Sequence, residues 1–231
     1  TSLLFFSPVL EGKKIFQQDI MLYDGMAKEL RDFREKNGEE TYWVNNAFSG
    51  MPTYQLGAKY PHNYIKQLDL SLRFLPRPAD YLFLYLLGFY ILMLSLKVDY
   101  RLAVLGALSF GFSTYLIVIL GVGHNAKAHA IAYMPLVIAG VLMVLNKKYY
   151  KGFILSTIAL GLQICANHFQ MTYYLMFIIL SIGIFYLIES LKNNKTKEFF
   201  KSVGILFASL FLAILMNSSI LMTTYEYMQQ S

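Results

Sequence analysis

Six apolar runs follow one another after residue 80, at 81–96, 102–120, 131–145, 153–166, 171–188 and 202–216, with short polar turns between them. This succession constrains the fold more than any single motif does. A bilayer span needs about 20 apolar residues in a helix. Several of the runs fall short, so each helix is expected to borrow flanking aromatic or polar residues, with tilt and thinning absorbing the mismatch. The composition agrees. The chain is 56% hydrophobic and 15% charged, whereas soluble domains carry about 25% charged residues. The surplus apolar surface therefore calls for lipid, and the expected fold class is an all-α integral membrane bundle.

The net charge of +6 would suit a nucleic-acid binder if it were spread over a soluble surface. Here it is read as a topology signal, with no nucleic-acid partner. Lys97, Arg101, Lys147, Lys148, Lys151, Lys192, Lys195, Lys197 and Lys201 fill alternate turns, while the two turns between them, 121–130 and 167–170, hold only Lys127. The positive-inside rule places the basic turns in the cytoplasm. Residues 1–10 (TSLLFFSPVL) are too few to span and are expected to be the outer half of a first helix. With the six runs, this gives about seven transmembrane helices in one module over 1–231. Residues 11–80 form a large first extracytoplasmic loop, and residues 81–217 a six-helix bundle. The chain opens without Met and closes without a stop signal, which leads us to expect a piece of a longer protein.

The outer loop holds ten of the fourteen acidic residues and ten of the twenty basic ones. Two segments in it have helical periodicity. In 20–36, Leu22, Met26, Leu30 and Phe33 make one apolar stripe opposite Asp24, Lys28, Arg31, Asp32 and Glu35. In 61–75, Pro61 suits a first turn, Ile65, Leu68, Leu72 and Leu75 form the stripe, and Pro76 and Pro78 end it. Such helices lie well in a membrane interface. Between them, Phe48-Ser49-Gly50-Met51-Pro52 marks a turn-rich loop.

Once the topology is set from Lys and Arg, other polar residues gather on the outer face. His124, Asn125, Lys127 and His129 lie in residues 121–130. Asn167, His168 and Gln170 occupy the next outer turn, and Glu226 follows the last run. Ionisable groups at membrane depth are costly and mark function by default. Asp19, just beyond the first helix, reads either as a general base that takes the proton of an acceptor hydroxyl or as the N-cap of the following helix. His124, Asn125 and Lys127 have the chemistry to grip a phosphate or a sugar through charge-assisted hydrogen bonds, or they simply face water. His124 and His129 are five apart, which is not the i, i+4 spacing of a helical metal pair. No metal set is assigned, and a divalent cation stays an open requirement. The sole cysteine, Cys165, excludes a disulfide within the chain. No P-loop, GxGxxG, CxxC or GxSxG occurs, so nucleotide cofactors, ATP-driven transport and serine hydrolysis lack support.

Residues 121–133 (GVGHNAKAHAIAY), 166–174 (ANHFQMTYY) and 217–227 (NSSILMTTYEY) resemble the YfhO-like membrane proteins of Bacteroidetes-type bacteria. Residues 16–19 (FQQD), 33–40 (FREKNGEE) and 48–52 (FSGMP) fit the same pattern, so the resemblance covers essentially the whole chain. These proteins are similar to glycosyltransferases of the GT-C fold. That likeness implies a GT-C-like bundle of about seven transmembrane helices whose first outer loop carries two interfacial helices and an acidic residue, here Asp19, soon after the first helix. It further implies a bacterial cytoplasmic membrane protein with its active face outside. A polyprenyl-phosphate-linked sugar would be the donor, an envelope polymer the acceptor, and the lipid bilayer the medium. Asp19 would be the base, with His124, Asn125, Lys127, His129, Asn167, His168, Gln170 and Glu226 around the substrate. Two rival readings predict different patterns. A transporter or lipid flippase places ionisable groups at mid-helix, and a non-catalytic envelope assembly subunit makes the outer polar residues dispensable.

Overall fold

The structure, a computed structural model, describes every residue except Lys14, Pro61 and Ser231, with the side chains of Gln55 and Gln230 also left out. Among the described residues the chain is almost wholly helical. Two single turns, α1 (Ser2–Phe5) and α2 (Ser7–Leu10), open it. The outer loop contributes α3 (Gln18–Met26), α4 (Lys28–Asn37) and α5 (Tyr64–Leu72), with a two-stranded hairpin of β1 (Trp43–Val44) and β2 (Met51–Pro52) between them. The bundle is α6 (Ala79–Ser95), α7 (Tyr100–Gly111), α8 (Thr114–Val122), α9 (Asn125–Leu145), α10 (Tyr149–Cys165), α11 (Phe169–Lys192) and α12 (Thr196–Met216), followed by α13 (Ser218–Gln230).

Among the described residues three helices are long and apolar enough to cross a bilayer: α9, α11 and α12. The run expected at 102–120 is two helices, α7 and α8, bent by 48° at a short break; counted as one span they make a fourth. The helix α6 is apolar but shorter. This is a helical, membrane-embedded protein, and its six bundle runs lie close to where the apolar pattern put them. Residues 1–10 form two turns interrupted at Phe6. They pack on the bundle through the ring of Phe5, which meets Phe112 edge-on at 5.1 Å.

The helix α9 is the axis of the bundle, with 72% of its apolar window buried against 11% for α11 and 17% for α12. A helix this deeply enclosed must meet its neighbours closely, and small residues permit that. A Cβ added at Gly140 of α9 would stand 2.6 Å from the backbone nitrogen of Ser156 on α10, and one at Gly152 of α10 would stand 2.6 Å from the nitrogen of Val144. The two glycines thus let the backbones of α9 and α10 cross almost in contact. Ser156 and Ser209 hydroxyls then join α10 to α12 at 3.0 Å. The weakly buried faces of α11 and α12, with Phe177, Phe185, Phe207 and Phe211 exposed, suit lipid.

The outer loop differs from its periodic reading in two ways. A break at Ala27 separates α3 from α4, so the expected stripe is divided. Leu30 is buried, Met26 packs beside it, and Leu22 and Phe33 are exposed. Around Leu30, the residues Ala27, Val44, Ala47, Met51 and Leu56 form a small core of the loop's own. In α5 the buried residues are Ile65 and Asp69, while Leu68 is exposed. The expected first turn at Pro61 lies outside the described residues. The helix begins at Tyr64, where the Asn63 side chain accepts the Lys66 N–H at 3.1 Å as an N-cap. This helix lies across one end of the bundle: Ile65 would meet a Cβ at Gly161 at 3.3 Å, as would Met216 at 2.9 Å. The starts of α9 and α11 and the ends of α8, α10 and α12 share that histidine-bearing end, and the opposite end carries the lysine-rich turns.

Candidate functional site

Two polar centres occupy the histidine-bearing end. The first is half-exposed. Gln17, buried just before α3, donates through its amide nitrogen to the Leu120 carbonyl at 2.5 Å. Gly123 makes this approach feasible. Its φ of +96° ends α8, and a Cβ there would collide with the Gln17 Cβ at 2.8 Å. The clasp delivers the first turn of α3 to the turn that opens α9. Asp19 Oδ2 then meets His124 Nδ1 at 2.6 Å, with side-chain exposures of 45% and 51%. Asp19 does not cap its helix. The N-cap position is Gln17, Asp19 lies in the first turn, and its carboxylate is turned to His124.

His124 is itself the N-cap residue of α9 and makes no side-chain cap bond; its Nδ1 instead faces the Asp19 carboxylate. Lys127 stands one turn further on, with Nζ 5.7 Å from the Tyr115 ring centroid. His168 is the N-cap of α11, and its Nδ1 accepts the Met171 N–H at 3.4 Å. Partial burial lowers the His168 pKa first, and the nearby charges of Lys127 and His124 lower it further. With Nδ1 accepting, the neutral ring carries its proton on Nε2. Asp19, His124, Lys127 and His168 therefore form one electrostatic neighbourhood built by three helix starts.

The second centre is buried. Asp69, fully buried on α5, receives Arg73 Nη2 at 2.7 Å and Nε at 3.2 Å, Lys66 Nζ at 3.1 Å and the Tyr133 hydroxyl at 3.0 Å. It also bonds His129 Nε2. The pairs Asp69/Arg73 and His129/Tyr133 are each i, i+4, so two helices present matched pairs across their contact. Arg73 continues to the Tyr81 hydroxyl at 3.4 Å and to Asp80 at 3.7 Å. Burial alone would raise the Asp69 pKa, but the hydrogen bond from His129 and the contacts with Arg73 and Lys66 outweigh it and hold the carboxyl well below its ordinary value. Burial likewise works against the Arg73 cation, and the Asp69 hydrogen bond keeps it charged. Such a network ties α5 to α6 and α9.

The expected site residues thus divide. Asp19, His124, Lys127 and His168 come together. Asn125 opens α9 beside them, its amide N–H reaching the Gly123 carbonyl at 2.6 Å. His129 is 5% exposed and belongs to the Asp69 centre. Asn167 holds a left-handed φ of 51°, and its side-chain oxygen is buried with no hydrogen-bond partner among the described residues. Gln170 is exposed and donates to the Tyr174 hydroxyl at 2.9 Å. Glu226 is exposed on α13, beside Tyr54 of the outer loop. Reading the sequence missed Asp69, Arg73, Asp80 and Tyr133. The two i, i+4 pairs were the available signal, but their partnership across some sixty residues was not. Among the described residues no group of three or more His, Cys, Asp or Glu side chains is placed to hold a metal ion.

The chain matches no family model, no curated protein and no solved structure.

Proposed function

We propose that the protein transfers a sugar from a polyprenyl-phosphate carrier to a cell-envelope acceptor, at the outer face of a seven-span, GT-C-like membrane module. The observation that carries this reading is the half-exposed Asp19–His124 pair, 2.6 Å between oxygen and nitrogen, with Lys127 and His168 in the same field. In the reaction, an acceptor hydroxyl oxygen attacks the anomeric carbon, and the bond from that carbon to the carrier phosphate oxygen breaks. Asp19 takes the hydroxyl proton as a general base, and His124 holds the carboxylate in place. The departing polyprenyl phosphate gains negative charge, which Lys127 and the Nε2–H of His168 would stabilise. Asn125 and Gln170 stand close by in sequence as neutral donors for sugar hydroxyls. His129 plays no part in contact with substrate on this reading, because Asp69 holds its ring inside the protein.

A carrier-phosphate role for Lys127 has a kinetic signature. In membranes containing the protein, transfer from a polyprenyl-phosphate sugar should survive in Lys127→Gln with kcat/KM for the donor lowered about 10- to 100-fold, the scale of one charge-assisted hydrogen bond. Unchanged donor kinetics in Lys127→Gln would remove it from the phosphate site.

A further inference from the structure

The helix that carries the proposed base has little of its own to hold it against the bundle. No residue of α3 is buried, so apolar packing does not fix where its first turn sits. At its far end the Tyr23 hydroxyl donates to the Leu56 carbonyl at 2.8 Å. Leu56 belongs to the outer loop as well, so this bond orders the loop and not its place on the bundle. The Asp19–His124 pair does reach α9, with both side chains about half exposed. A pair that wet is held weakly and does not by itself fix the geometry that a general base needs.

The residue just before the helix supplies what is missing. Gln17 is buried. Its backbone is extended, with φ −131° and ψ 112°, and its carbonyl accepts the Ile20 and Met21 N–H groups, each at 3.2 Å. The helix therefore starts from Gln17, while the Gln17 side chain runs the other way, into the end of α8. The last carbonyls of a helix have no partner within it. At α8 the Gly123 N–H takes the Ile119 carbonyl, and the Gln17 amide takes the Leu120 carbonyl. Leu120 is fully buried, and a buried backbone carbonyl needs a donor. Residue 123 must be small for this bond to form, and the residue after that glycine is His124. One short, dry bond thus sets both sides of the Asp19–His124 pair.

We infer that Gln17 is a positioning residue: its amide bond to Leu120 fixes the Asp19 carboxylate against His124 and so at the acceptor hydroxyl. The inference rests on the reading of Asp19 as the base of the glycosyl transfer.

The test follows sugar transfer in membranes for two variants. Gln17→Met keeps an unbranched stem beside Gly123 and loses the amide, and Gly123→Ala pushes the stem away. Each should lower kcat about 10- to 100-fold while KM for the polyprenyl-phosphate donor stays unchanged and Cys165 stays protected from thiol reagents. In an Asp19→Asn background neither change should cost anything further, because the group it positions is gone. A merely structural role would lower transfer equally in both backgrounds. Unchanged kcat in Gln17→Met, an equal loss in the Asp19→Asn background, or a raised donor KM at unchanged kcat would overturn the proposal. If Gln17→Met proves misfolded, Gly123→Ala decides by the same criteria. A second readout needs no transfer. The Asp19→Cys/His124→Cys pair in a Cys165→Ala background should be bridged by dibromobimane, and adding Gln17→Met should slow the bridging about tenfold. If wild type moves no sugar, the glycosyl-transfer reading fails by itself and the bridging rate judges the positioning: slower bridging supports it, and an unchanged rate overturns it.

Discussion

Replacing Asp69 by Ala should destabilise the protein sharply. Asp69 is fully buried and takes hydrogen bonds from Arg73, Lys66, Tyr133 and His129. Its main partner, Arg73, has a side chain only 4% exposed. Removing one member of a buried pair leaves an uncompensated charge and costs about 3–5 kcal/mol. Asp80 stays 3.7 Å from the Arg73 guanidinium and offsets part of that, which puts the loss near the lower limit, about 3 kcal/mol. For a domain of this size, 1 kcal/mol moves Tm by about 2–4 °C, so the expected fall is about 6–12 °C. Cys165 is the chain's one cysteine and is buried, so its reaction with a thiol-reactive dye reports the unfolding directly. The double variant Asp69→Ala/Arg73→Met removes both charges and should recover much of the loss, giving a strongly non-additive cycle. A Tm within about 2 °C of wild type in Asp69→Ala, or simple additivity in the cycle, would refute the view that this network pins α5 to the bundle.

The same carboxylate predicts a pH dependence. Its folded-state pKa is depressed, so its stabilisation is complete above the unfolded value of about 3.9 and is lost as pH falls below that value toward the folded one. Wild-type Tm should therefore drop more steeply below about pH 4 than that of Asp69→Asn; parallel curves would contradict the assignment. Gly140→Ala should also destabilise, because the new Cβ would meet backbone atoms of Ser156 at 2.6 and 2.7 Å. Backbone cannot yield as a side chain tip can, so an overpacking cost of about 1–3 kcal/mol is expected, read as a lowered Tm. An unchanged Tm would mean that α9 and α10 cross less closely than described.

Much of the bundle was legible because lipid imposes a simple rule: apolar runs become helices. The run at 171–188 lies inside Phe169–Lys192, and the run at 202–216 lies inside Thr196–Met216. The bend between α7 and α8 was not legible, since apolar content passes through Gly111, Phe112 and Ser113 without a polar interruption long enough to signal it. In the loop, periodicity put Ile65 and Leu72 on the face of α5 that packs against the core but missed Asp69 beside them, because it scores a carboxylate as solvent-facing. Asp69 is buried only because Arg73, His129 and Tyr133 supply its hydrogen bonds, and two of these arrive from α9. At the candidate site the residue types were visible in the outer turns. The separation of His129 from His124 was not, since it depends on which side of the α9 helix start meets α5 and which meets α3.

The most direct measurement compares wild type with Asp19→Asn at equal expression, following sugar transfer from polyprenyl-phosphate donors to an envelope acceptor in membranes. Asn keeps the shape and loses the base, so transfer should collapse by about 100-fold or more while Cys165 protection and Tm stay near wild type. Transfer that survives in Asp19→Asn would take Asp19 out of the chemistry. A wild-type protein that folds normally and moves no sugar from any such donor would contradict the glycosyltransferase reading itself.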